Sequence, residues 1–203
     1  MTAGWIAVAF VLVYYATTLW LCRKVRLGAH QITYCGLTCA VAILLTFFRI
    51  PLPTPFGTTL TFEYLPLILL AVLVDHRLAV ITGFVCGVVA MMISPGWLMF
   101  HWAQLPLEQL LCFSCIGYAG MFGRDKKRVT WGVVLAMSLA FLGHFLSGVI
   151  FFGQFALPGW GTWAYSLAFN ASYMVPELLI AVFVTRALPL DTLSRAIQKG
   201  ASA

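Results

Sequence analysis

Residues 143–170 read GHFLSGVIFFGQFALPGWGTWAYSLAFN. An apolar helical pattern runs into a loop of Gly, Pro and aromatic residues, and a second apolar pattern opens beyond it. Among its polar residues are His144 before the loop and Tyr165 and Asn170 after it. The flanking segments are too apolar for water-facing helices. Polar groups inside such segments are costly and point to function.

The rest of the chain has the same character. Of its 203 residues, 62% are hydrophobic and 9% charged, whereas a soluble domain carries about 25% charged residues. Apolar runs recur at 4–22, 31–50, 58–74, 78–95, 104–122, 129–152 and 163–188. A crossing needs about 20 apolar residues. Backbone groups in lipid must also be bonded within their own segment. The expected fold is therefore an all-α integral membrane protein of seven spans. The alternating pattern of a membrane barrel is absent.

Charge sets the expected orientation. With the N-terminus outside, the inner loops and tail hold Arg23, Lys24, Arg26, Arg77, Arg124, Lys126, Lys127, Arg128, Arg186, Arg195 and Lys199, eleven of the 12 basic residues, and only Arg49 lies outside. Such sorting is a topology signal, so the net charge of +6 does not point to nucleic acid. The charges follow the first run and no A-x-A-like cleavage site is present, so a retained span is expected there. The outer loops RIPLPTPFGTTL, SPGWLMFHWAQ and FGQFALPGWGTW are dense in aromatics, and the inner loops hold almost none. Interfacial belts account for part of this. Confinement to one side suggests a ligand pocket at the outer face.

Three carboxylates fall in or beside spans: Glu63, Glu108 and Glu177. Gln104, Glu108, Cys112, Cys115 and Ala119 share one helical face, expected to turn inward. His144, Gly148 and Phe152 share another, and Asn170, Tyr173 and Glu177 a third, where Pro176 weakens the helix. Each of these sets can also be read as polar packing between helices. Glu63 is expected to pair with Arg49. The six cysteines read as small buried thiols, because a lone Cys112-x-x-Cys115 lacks the further ligands of a zinc site. No metal site or cofactor is expected. There is no H-E-x-x-H and no phosphate-cradling glycine loop. An intramembrane enzyme would have to rest on Glu108 and His144 as acid and base. A structural assembly factor would use the same polar residues only for packing.

The stretch from His144 to Asn170 resembles the thiamin-binding S components of energy-coupling factor (ECF) vitamin transporters. In that family H-F-x-x-G-V-x-F-W leads through an aromatic loop to Y-S-L-x-x-N. Here His144, Phe145, Gly148, Val149, Phe151, Tyr165, Ser166, Leu167 and Asn170 match at the same spacing. LEQLLCFSCIGYAGMF is similar to the family's L-E-Y-P-x-A-F segment and carries Glu108. The resemblance covers roughly residues 31–188.

The resemblance implies a six-helix substrate-binding core over 29–190. An extra transmembrane helix and basic loop would precede it at 1–28, and a cytoplasmic tail would follow at 191–203. It implies a ligand site of Glu108, Gln109, His144, Phe152, Tyr165, Asn170 and, as the aromatic lid of the first outer loop, Phe56. Glu108 would meet the aminopyrimidine and His144 would lie near the thiazolium. Gln109 replaces a family tyrosine and Phe152 a stacking tryptophan, which leaves the exact ligand open. A small-xxx-small pattern, Gly36 and Ala40, would meet a transmembrane coupling subunit that works with two ATPase subunits. The expected function is therefore capture of thiamin at the outer face of a prokaryotic plasma membrane. The alternative within transport is a precursor or another small heterocycle.

Overall fold

A computed structural model describes residues 2–93 and 100–201. The second outer loop, 94–104, lies partly outside the described residues. Helix α1 spans Thr2–Cys22 and α2 spans Ala29–Leu45. A small hairpin follows. Its strands β1, Ile50–Pro51, and β2, Thr59–Leu60, run antiparallel with Ile50 opposite Leu60. Gly57 turns it at φ +64°, which glycine adopts without strain. Then come α3, Tyr64–Leu73, and α4, His76–Ile93. The next helical segment is composite: a π turn at Leu105–Leu110, a short α5 at Leu111–Cys115 and a 3₁₀ turn at Ile116–Gly120. Helix α6, Lys126–Phe151, and α7, Thr162–Ala187, are the longest, and α8, Leu190–Ala201, closes the chain.

Four of these helices, α1, α4, α6 and α7, are each long and apolar enough to cross a bilayer. The third expected run is shorter than its hydropathy implied. Residues 59–60 pair in the hairpin, and α3 keeps only 10 residues, about 15 Å of helix against a hydrocarbon core of about 30 Å. The expected tail is itself a helix. Leu190 and Ser194 of α8 are buried, and the Ser194 hydroxyl donates to the Leu73 carbonyl at 2.7 Å. This bond caps α3, whose neighbouring carbonyl on Val72 accepts from Arg124 Nε at 2.7 Å. Asp75 starts α4 by accepting from the backbone N–H groups of Arg77 and Leu78. α7 runs unbroken through Pro176.

Lipid tails are as apolar as leucine, so close packing must hold the bundle together. Glycines bring the backbones into contact. A methyl at Gly83 would meet the backbone of Phe113 and Ser114, one at Gly117 that of Val80, and one at Gly132 that of Ala119. Cys112 and Cys115 serve the same seam. Both are fully buried free thiols, and their sulfurs donate to the Ala140 and Ala136 carbonyls of α6.

Candidate functional site

The apolar hairpin α6–α7, the composite segment and the loop before α3 enclose a cavity of about 490 Å³ at one end of the bundle. Six of the seven residues expected at the site line it: Phe56, Glu108, His144, Phe152, Tyr165 and Asn170. Gln109 does not. Successive side chains on a helical segment point in different directions, and the one that follows Glu108 turns away from the cavity. Gln109 is buried with its backbone carbonyl close to Gly87 of α4, and its Oε1 has no hydrogen-bond partner. π turns are rare and gather at functional sites. Here Pro106, which has no N–H to donate, stands at the start of the turn.

Glu108 is the centre of a polar cluster. Its Oε2 accepts from the Ser147 hydroxyl at 2.7 Å and from Gln104 Nε2 at 3.3 Å. His144 Nδ1 faces its Oε1 at 3.7 Å, and His144 Nε2 lies 2.9 Å from the Tyr64 hydroxyl. The imidazole is thus held between α3 and the π turn. Glu63 stands at the start of α3, and Arg49 Nε donates to the Thr46 carbonyl at 3.3 Å, so the pairing of Glu63 with Arg49 stays an expectation.

The opposite wall is the first half of α7. Ser166 donates to the Phe145 carbonyl at 2.7 Å and so staples α7 to α6. Asn170 Nδ2 donates to the Ser166 carbonyl at 2.8 Å, and its Oδ1 accepts from the Tyr173 hydroxyl at 2.9 Å. The amide is thereby oriented, and Oδ1 keeps one lone pair for a further donor. One turn beyond Tyr173, Glu177 accepts from the backbone N–H and the hydroxyl of Thr61, both at 3.0 Å, and fixes the loop that carries Phe56. Phe56 meets Trp160, Tyr165 and Phe169 edge to face. Phe152 packs against Phe100 and Phe155. The cavity therefore has polar groups on its floor and aromatic rings around its mouth.

Tyr64, Ser147, Ser166, Phe155, Phe169 and Tyr173 belong to this site or support it. Of these only Tyr173 was singled out as sharing a face with a candidate. Ser147, at i+3 from His144, and Ser166, at i−4 from Asn170, carried the same helical signal. Among the described residues no group of His, Cys, Asp or Glu is arranged to hold a metal ion. The lining contains one carboxylate and neither Lys nor Arg. That chemistry suits a flat ligand with positive charge and hydrogen-bond donors, and offers a phosphate no Lys or Arg to pair with.

The profile of the thiamine transporter protein family, Thia_YuaJ, matches residues 32–196. The chain belongs to this family. Within it, the chain is 31% identical to the thiamine transporter ThiT of Bacillus subtilis (strain 168) over 161 residues, which cover 73% of this chain and 83% of the relative. It is 24% identical over 144 residues to ThiT of Lacticaseibacillus paracasei, covering 64% of this chain and 72% of that one. A solved structure of ThiT from Listeria monocytogenes superposes with a TM-score of 0.72 at 19% identity, over 82% of this chain and 96% of that one, and shares the fold. The chain is thus a multi-pass membrane protein of a transporter family and not an enzyme, so the reading of Glu108 and His144 as an acid–base pair is set aside. The family match begins at residue 32, so α1 precedes it.

Proposed function

We propose that this chain is the substrate-binding membrane subunit of an ECF-type, ATP-driven vitamin transporter, and that it binds thiamin in the cavity around Glu108. One observation carries the reading: a carboxylate, held by Ser147 and Gln104, faces an aromatic-mouthed cavity with neither Lys nor Arg among the described residues of its lining. Thiamin offers a cationic thiazolium for the aromatic faces and an aminopyrimidine that donates to carboxylate and amide oxygens. The names of the relatives support the same ligand.

The cavity opens on the extracellular side in this reading, and the chain crosses seven times, with residues 1–28 added to a core over 29–190. The basic residues of the inner loops and tail support this orientation. Coupling would run through α2. Gly36 and Ala40 are exposed on its outer face, and a methyl at Gly36 would meet nothing within 4 Å. A partner helix from a coupling subunit can approach such a face closely, and two ATPase subunits would drive the cycle.

Titration of the purified protein with thiamin tests the reading. Trp160, packed against Phe56, serves as the fluorescent reporter. Saturation below micromolar thiamin supports it. A response only to the pyrimidine or thiazole half moves the assignment to a precursor, the alternative that Phe152 in place of a stacking tryptophan keeps open. No response to any of the three removes this ligand class.

A further inference from the structure

We propose that α1, the helix ahead of the family match, is a brace for the ligand site, and that Tyr15 is its positioning residue. The argument starts from where α1 spends its few polar groups. The Tyr15 hydroxyl donates to the Pro106 carbonyl at 2.8 Å. Pro106 lies inside the π turn, two residues before Glu108. Tyr14 meets the Ser114 hydroxyl at 2.6 Å and Thr18 the Tyr118 hydroxyl at 2.8 Å, farther along the same composite segment. One face of α1 is thus bonded at three levels to the segment that presents the carboxylate.

The apolar packing tells the same story. A small hydrophobic cluster stands apart from the main core, made by Ala7, Leu107 and Leu146 with Phe10 and Val11 against them. Leu107 is the neighbour of Glu108, and Leu146 that of Ser147. α1 therefore presses on the backs of the residues beside both partners of the 2.7 Å bond in the cavity. The π turn interrupts the regular ladder of an α-helix. In lipid, no water replaces a lost bond to its carbonyls. Tyr15 supplies that bond from outside the segment, which fixes the reach of Glu108 into the cavity.

The affinity arm of the test rests on the thiamin reading; the exchange arm does not. Tyr15→Phe keeps the ring stacked on Phe84, 5.8 Å between centroids, and removes only the hydroxyl. In the ligand-free full chain, hydrogen exchange over 107–112 is expected to quicken about three- to tenfold, with the other helices unchanged. Tyr14→Phe, whose partner is Ser114, leaves exchange over 107–110 as in the wild type. In thiamin titrations Tyr15→Phe weakens binding about three- to tenfold, and adds nothing in a Glu108→Gln background. Unchanged exchange over 107–112, or a loss of affinity that adds fully to that of Glu108→Gln, overturns the brace. A wild type that takes no thiamin removes the ligand reading alone, and exchange still decides the brace.

Discussion

Glu108 and Ser147 meet at 2.7 Å, carboxylate to hydroxyl, across 39 residues of sequence. The acid in the cavity is thereby aimed by the helix that also carries His144. Glu108→Gln keeps the shape and loses the charge. Thiamin affinity is expected to fall about 10- to 100-fold, the range of a charge-assisted hydrogen bond. Calorimetric titration measures it, and an unchanged dissociation constant removes Glu108 from the recognition.

Ser147→Ala tests the aim rather than the charge. The residue is fully buried, so the change is silent at the surface. Affinity should weaken about three- to tenfold, because the carboxylate keeps Gln104 but loses its shorter bond. A loss as large as that of Glu108→Gln would contradict this division of labour.

Phe152 packs against Phe100 at 5.3 Å and Phe155 at 6.2 Å between centroids, at the mouth of the cavity. Phe152→Ala is expected to cost at least about tenfold in affinity, and Phe152→Trp to match or exceed the wild type, since tryptophan holds a cation best. The same titration reads both variants. Tolerance of alanine would show that this ring does not touch the ligand.

Gly148 is the contact point of α6 and α7, where a methyl would run into the Ser166 hydroxyl. Gly148→Ala should destabilise by about 1–3 kcal/mol through overpacking. Thermal unfolding would show it, and adding Ser166→Ala should restore part of the loss. Two losses that simply add would mean that the helices are separated by something else.

Gly36 faces away from the bundle and is exposed. Gly36→Leu is expected to leave thiamin affinity unchanged while uptake through the assembled transporter drops at least about tenfold, because a bulky side chain blocks close helix approach. Normal uptake would move the coupling surface off this face.

Much of this molecule was legible in the chain because lipid permits few solutions. Runs of apolar residues placed the helices: α6 and α7 begin and end within three residues of the runs at 129–152 and 163–188. Helical spacing gathered His144 with Gly148 and Phe152, and all three line the cavity. The π turn at Leu105–Leu110 is announced by no propensity of those residues, and Gln109, expected from the resemblance alone, lies off the cavity lining. Spacing failed for Tyr64, whose contact with His144 spans 80 residues. The hairpin at 50–60 was hidden because its strands, two residues each, are too short to show a period.

The glycines of the inner seam have a mechanical consequence. With the backbones of α4 and the composite segment touching at Gly83 and Gly117, neither can slide or tilt without atoms passing through one another. The floor under the cavity is therefore stiff on its α4 side, whereas the hairpin bearing Phe56 has no such seam: a methyl at Gly57 would meet nothing within 4 Å.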